Sequence, residues 1–478
     1  MEFDLTKPYC FYFSELAKIP HGSLNEKAVS DYIVAFAQSH NLRYKQDELE
    51  NVIIYKAASS GYEEAEPLMI QAHIDMVCEK NADYEHDFLT DPLVLYSENG
   101  FLKAQGTTLG ADDGSGVAMM LAVLAAADLA HPPLECVFTS QEEIGLIGAL
   151  ALKAEDFQAR RLISLDGGGE VSTMLSAAGG CMTSIKIPLT RVSNEKPTYR
   201  LAIRGLLGGH SGMEINKERG NANKLMARLL VEAKSQGCDI TLVSFDGGLK
   251  DNAIPRECEA IFVSSSQEEQ LAQQFTNSAG GIISELKWSD ADFRIEFEKT
   301  TISGICLDAA VSEKICNFVY LAPNGFKARS LAIAGLTLTS LNLGVTKTEK
   351  ACFIANFAIR SAVESAIDDL ALQLRVLAGY AEAEVSVSAR YPGWDYNPKS
   401  PLRDKLAAAV KAVSGEELEL EAAHGGSECG VFSRLLPGVD IILIGPKADD
   451  VHTPQERMDL ASFDRTYQIL CHVLAACK

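Results

Sequence analysis

The sequence predicts an α/β protein, a mainly parallel-sheet domain with helices on both faces, that carries an inserted α+β lid or dimerisation-type domain. Three observations lead there. Over residues 1–185 short apolar runs alternate with amphipathic stretches, the order produced by a parallel sheet with covering helices. From about residue 186 the runs alternate apolar and polar residues, the mark of a sheet with one covered face. Near the end a run that reads as a buried strand, VDIILIG from Val439, returns. At 478 residues the chain is too long for one compact core, so two domains are expected. The expected organisation is therefore a first domain in two parts, 1–185 and 391–478, interrupted by 186–390.

Each element follows from local pattern. EKAVSDYIVAFAQSH from Glu26 places apolar residues at helical spacing, whereas NVIIYKA and PLMIQA are short and rich in strand formers. A Gly-rich turn leads into VAMMLAVLAAADLA from Val117, which is apolar all round and reads as a buried helix. LECVFTS (134–140) and RLISLD (161–166) are further buried strands, separated by a second helical stretch. In the insertion, YRLAIRGL, DITLVSFDGG, RECEAIFVSSS and FRIEFEKT alternate, with ANKLMARLLVEAKSQ as a helix among them. YPGWDYNPKSP (391–401) reads as a Pro-rich hinge, followed by a helix over 401–413.

Charge and cysteine usage narrow the partners. With 43 basic against 65 acidic residues the net charge is −22, a field that repels a phosphate backbone, so no nucleic-acid partner is expected. The apolar stretch from Val117 is broken by Asp128 and is too short to span a bilayer, and the first twenty residues lack the pattern of a signal peptide; no membrane association is expected. The 12 cysteines are scattered without a CxxC pair, which reads as reduced, mostly buried thiols in the cytoplasm.

Potential ligands gather just beyond the strands. His73 and Asp75 follow PLMIQA, Glu142 and Glu143 follow LECVFTSQ, Asp166 ends RLISLD, and His452 lies soon after VDIILIG. Asp112 and Asp113 sit in GTTLGADDGSG, before a helix. Ligands of open parallel sheets collect at the carboxyl ends of the strands. Taken singly each residue has a plainer explanation: a hydrogen-bonded histidine, an acidic helix start, a capping turn. Together, several carboxylates on one edge need cations to offset their repulsion. Two histidines with Asp112, Glu143 and Asp166 form an N/O donor set suited to Zn²⁺, Mn²⁺ or Co²⁺. Five ligands exceed one tetrahedral site and fit two ions that share a carboxylate. Residues two apart on a strand face the same way, so Asp75 suits the support of His73.

Taken in order, QAHIDMV, GTTLGADDGSGVA, SQEEIGLIGA and LDGGGE resemble the di-zinc metallopeptidase clan of dipeptidases, carboxypeptidases and deacylases. GGHSGMEINKERGNANKL, DNAIPRE, HGGSECGVF, YPGW and the closing HTPQE are similar to the aminoacyl-histidine (Xaa-His) dipeptidases, over nearly the whole chain. The resemblance implies that Asp112 bridges two Zn²⁺ per chain, with Mn²⁺ or Co²⁺ as substitutes. His73 and Asp166 complete one site, and Glu143 and His452 the other. Glu142 is implied as general base and Asp75 as the orienting partner of His73. His210 is implied as the oxyanion donor, Asn252 and Arg360 as holders of the substrate backbone and carboxylate, and Gly426 as backbone lining the substrate. Asp113 and His424 receive no role.

The expected activity is metal-dependent hydrolysis of a small peptide, a dipeptide with a free N-terminus and of the Xaa-His, carnosine-like kind, by a di-zinc-activated water. A homodimer is compatible with the resemblance. The alternatives are a related tripeptide aminopeptidase, carboxypeptidase or deacylase, and an inactive peptide-binding relative. A nucleotide-binding reading fails because no glycine fingerprint follows the first strand.

Overall fold

The computed structural model describes residues 2–301 and 303–478. The chain divides into two units: 1–177 with 393–422 and 427–478, and 178–392 with 423–426. The first boundary falls earlier than the expected 185/186. The strand Gly179–Pro188 is one uninterrupted element of the second unit's sheet, so the chain changes unit before it. The second boundary falls at 392/393 instead of 390/391 because Tyr391 still pairs with Gly180, and 423–426 also belong to the inserted unit. The Pro-rich hinge is pinned just after that boundary, where Trp394 is buried and exchanges backbone hydrogen bonds of 2.9 and 3.0 Å with Ala177.

The first unit is built on a six-stranded sheet in the order Arg43–Gln46, Val52–Lys56, Leu134–Thr139, Leu68–His73, Arg161–Ser164, Asp440–Leu443. The last four are mutually parallel; Val52–Lys56 is antiparallel to both of its neighbours. Period-two alternation decides which face each residue serves. Ile54, Leu68, Ile70, Cys136, Phe138, Ile163 and Ile442 join one core, with the helices Lys27–Ser39, Ala111–Ala125, Pro401–Ser414 and Leu460–Ala476. Ile53, Met69, Val137, Leu162, Ile441 and Leu443 join the other, with Cys429 and Phe432 of the helix Glu428–Leu435. Both faces are thus covered, and the central strands Leu68–His73 and Leu134–Thr139 are buried throughout, as expected for a parallel sheet. The run from Val117 is buried from Val117 to Leu124 within Ala111–Ala125, each large side chain contributing about 1.5–3 kcal/mol. A small sheet of Leu95–Glu98, Phe101–Ala104, Arg457–Asp459 and Ala448–Asp449 carries His452 in the hairpin between its last two strands.

The inserted unit holds a nine-stranded sheet in which the recorded pairings are all antiparallel. One face packs on Ala222–Ser235, Glu268–Leu286, Ala309–Leu321 and Glu364–Tyr380. The other face is polar, with Arg200 reaching Glu259 and Glu298 across neighbouring strands, which explains the alternating pattern read from the sequence. Asn221 caps the helix Ala222–Ser235 by accepting hydrogen bonds from Asn223 and Lys224. Among the described residues no helix is long and apolar enough to cross a membrane. All 12 cysteines are free thiols.

Candidate active site

The parallel strands bring their carboxyl ends to one edge. His73 pairs with Thr139, and Gln71 with Ser164, so the residues that come after Thr139 and Ser164 emerge beside His73. These are Glu142, Glu143 and Asp166. Asp112 arrives at the start of the helix Ala111–Ala125, over a turn in which Gly110 has φ +69°. That left-handed conformation suits glycine, which lacks a Cβ.

Asp112 is the centre of the cluster. Its Oδ1 lies 2.9 Å from His73 Nε2, and its Oδ2 lies 3.3 Å from His452 Nε2. His452 Nε2 is also 2.9 Å from Glu143 Oε1. Potential ligand atoms of His73, Asp112 and Glu143 fall within 4.8 Å of one another. One carboxylate therefore addresses a different histidine with each oxygen. Asp166 belongs to the same electrostatic group, since burial and the charges of Asp112, Asp113 and Glu142, opposed by His73, push its carboxyl well above the usual range. Asp112 itself is held below that range by His452 and His73, against the cost of burial.

The contacts of Asp75 differ from the expected ones. His73 Nδ1 is 3.0 Å from the Asp75 backbone carbonyl, whereas the carboxylate is 3.6 Å away, beyond a hydrogen bond. A carbonyl only accepts, so Nδ1 carries a proton, and Nε2, which faces Asp112 Oδ1, is the ring nitrogen that could ligate a cation. The support comes from the Asp75 main chain. The carboxylate instead accepts from Glu142 N (2.9 Å), Glu143 N (3.3 Å) and Ser23 Oγ (2.8 Å). It thus fixes the turn that carries both glutamates. Two residues apart is near enough for the carbonyl to win, which the period of two alone does not reveal.

Burial, with the negative Glu143, Asp112 and Asp75 only partly offset by His73, pushes the Glu142 carboxyl up to about 7. A carboxylate poised there can exchange protons at neutral pH. Behind it lies Glu428, 2% exposed, which sequence reasoning passed over. Its Oε2 accepts from Gln71 Nε2 (2.5 Å) and Thr139 Oγ1 (2.8 Å), while Oε1 has no partner among the described residues. Burial and Glu142 push this carboxyl to about 8. The available signals were a glutamine inside the fully buried run PLMIQA and an acid opening the apolar ECGVF. Asp113 is also buried, with Oδ1 accepting from Gly116 N and Oδ2 without a partner among the described residues. Many buried acids, two imidazoles and no thiolate among the ligand atoms form a donor set that fits divalent cations with N/O preference.

The inserted unit gathers a second group. His210 pairs with Ala253, and Ser211 N donates to the Asn252 carbonyl at 2.9 Å, so these two predicted residues share one ribbon. His210 Nδ1 accepts from Met213 N (3.0 Å) and Gly212 N (3.3 Å), which leaves the proton on Nε2 as a free donor. Arg360 donates from Nη1 to the Tyr391 hydroxyl at 3.0 Å, and its buried Nε has no partner among the described residues. A methyl group at Gly212 would stand 3.1 Å from His210 Cε1, 3.3 Å from Arg360 Nε and 2.7 Å from the His424 carbonyl. Gly212 is thus packed so closely against these groups that a Cβ there would force the His424 backbone to shift. Gly426 packs at the Tyr391 ring, where a Cβ would lie 3.0 Å from Cε2. His424, which received no role from the resemblance, is buried with Nε2 2.7 Å from Ser340 Oγ. Burial, Arg360 and His210 push its imidazole down to about 4.

The sequence profile described as peptidase family M20/M25/M40 matches residues 69–476. The chain is 33% identical over 471 residues to a cytosol non-specific dipeptidase of Escherichia coli (strain K12), covering 98% of this chain and 97% of that protein. The crystal structure of aminoacylhistidine dipeptidase from Vibrio alginolyticus superposes with a TM-score of 0.93 at 32% identity, covering 98% of this chain and 96% of that one. Aminopeptidase PepT from Bacillus cereus ATCC 10987 shares the fold at a TM-score of 0.56 and 14% identity, covering 98% of both chains. These relatives are of the kind that the motifs from QAHIDMV to HTPQE indicated. The chain belongs to peptidase family M20/M25/M40.

Proposed function

We propose that this protein is a metal-dependent dipeptidase that cleaves dipeptides with a free N-terminus, Xaa-His dipeptides of the carnosine kind among them. The observation that carries the reading is Asp112, whose two carboxylate oxygens stand 2.9 and 3.3 Å from two different histidines. That spacing supports reading Asp112 as a ligand that two cation sites would share. His73 and Asp166 would hold one cation with Asp112, and Glu143 and His452 the other. Zn²⁺ is the first candidate, with Mn²⁺ and Co²⁺ as substitutes. When bound, such a pair supplies Lewis-acid polarisation of the substrate carbonyl and lowers the pKa of water.

The chain's own residues supply the rest. Glu142, held by the Asp75 carboxylate, takes the proton of the attacking water and returns it to the leaving amine. His210 offers its Nε2–H to the developing oxyanion. Arg360 matches the planar carboxylate of a dipeptide, and Asn252 and the Gly426 backbone hold the rest of the substrate. The names of the relatives support small peptides as substrates and the cytoplasm as the compartment. A homodimer is the oligomeric form that accompanies this reading, and light scattering tests it.

A steady-state panel of Xaa-His and other dipeptides, N-acetylated dipeptides and tripeptides, each with Zn²⁺, Mn²⁺ and Co²⁺, tests the substrate. Preference for blocked or longer peptides overturns the dipeptidase reading. The Glu142→Ala protein should lose turnover by at least ~10²-fold and keep its bound cations. Near-normal activity in that variant would show that another group is the base.

A further inference from the structure

We propose that Glu456 is a positioning residue that fastens the segment bearing Asp112 to the segment bearing His452. The inference rests on the reading of these residues as cation ligands. Glu456 is 3% exposed and lies four residues after His452. Its Oε2 accepts from Leu109 N (2.8 Å) and Gly110 N (3.1 Å), and its Oε1 from Ala111 N (2.9 Å). Three consecutive backbone donors are thus gathered by one carboxylate, and the next residue is Asp112.

Those donors need this acceptor. The chain turns at Gly110, and Asp112 and Asp113 have non-helical φ/ψ, so the amides of Leu109, Gly110 and Ala111 precede the regular helix and need an acceptor outside it. The Glu456 carboxylate satisfies all three. The Glu456 end is itself fixed: Glu456 N donates to the Thr453 carbonyl at 3.0 Å, and Thr453 Oγ1 donates to the Asp450 carbonyl at 2.7 Å. The hairpin that bears His452 and the turn that bears Asp112 are therefore clamped to each other through Glu456. The 3.3 Å approach of His452 Nε2 to Asp112 Oδ2 depends on that clamp. Glu456 touches no ligand side chain by hydrogen bond, so its effect on cation binding is exerted through the backbone.

The test is Zn²⁺ affinity, measured by competition with a chromophoric chelator, for wild type, Glu456→Gln, Glu456→Asp and Glu135→Gln. Glu135 is the control for general destabilisation. It is also buried and accepts two backbone amides, Gln158 N (2.9 Å) and Ala159 N (3.2 Å), at the opposite end of the strand Leu134–Thr139 from the ligands. Glu456→Gln should bind Zn²⁺ about 10–100-fold more weakly, with Glu456→Asp in between and Glu135→Gln close to wild type. Hydrogen exchange at Leu109–Ala111 in the cation-free protein should be faster in Glu456→Gln than in wild type. Unchanged affinity in Glu456→Gln, or an equal loss in Glu135→Gln, overturns the proposal. Failure of the wild type to take up Zn²⁺, Mn²⁺ or Co²⁺ overturns the metal reading itself and is seen separately, in the first titration.

Discussion

Replacing Asp75 with Asn isolates the role of its carboxylate. The change is isosteric, so it opens no cavity. The carboxylate accepts three hydrogen bonds, from Glu142 N, Glu143 N and Ser23 Oγ. An amide keeps one oxygen, which can still take the 2.9 Å bond from Glu142 N. Its nitrogen then faces the Glu143 amide, donor against donor, while the Ser23 hydroxyl can rotate to accept. Hydrogen bonds to a charged acceptor contribute about 1.5–3 kcal/mol each, and a buried orphan donor costs about 1–3 kcal/mol. The turn carrying Glu142 should therefore lose roughly 3 kcal/mol of its positioning, which limits the fall in kcat to about 100-fold. Steady-state kinetics on a good dipeptide at saturating cation, with metal content and Tm measured on the same preparations, give the answer. The expected result is a fall in kcat of about 10–100-fold with KM and metal content little changed. If the carboxylate instead served to orient His73, metal affinity would fall first and kcat at saturation would hold. Near-wild-type kcat with an unchanged Tm would refute the account of the turn.

Gly212→Ala should raise KM for free dipeptides about ten-fold or more while leaving metal affinity unchanged, because its methyl group would overpack against the His424 carbonyl and displace His210 and Arg360 beside it; equal KM values for variant and wild type would refute this. His424 makes stability depend on pH. Its imidazole titrates at about 4 in the fold, below the ordinary value of about 6.5, so on acidification the unfolded chain takes up this proton first. The contribution, about 3 kcal/mol at most, is complete above pH ~6.5 and is lost as pH falls toward 4. Denaturant titrations of wild type and His424→Gln should therefore differ in slope across that window; parallel curves would refute the assignment.

Much of the candidate cluster was legible because it is local to strand ends. Apolar runs such as PLMIQA and RLISLD announce buried strands, and parallel strands deliver the residues beyond their carboxyl ends to one edge. His73, Glu142, Glu143 and Asp166 could be named for that reason, and the order of the motifs carried the family. The alternating runs of the insertion likewise disclosed a sheet with one covered face. The boundary at Lys186 missed because the strand Gly179–Pro188 alternates only in its second half; its start, Gly-Gly-Cys, is buried on both sides.

By itself, then, the sequence determined the layers, the strands and the types of residue at the sheet edge, since these depend on periodicities of two and 3.6 within one segment. Only the tertiary structure decided who touches whom. Asp112 meets His73 across 39 residues, Gln71 meets Glu428 across 357, and Glu456 gathers amides 345 to 347 residues away. Even for neighbours, the choice of the Asp75 carbonyl over its carboxylate as the partner of His73 was made by the chain's path. A periodicity states which face a side chain shares, whereas a hydrogen bond requires its partner within about 3 Å and in line. That geometry exists only once distant segments have packed.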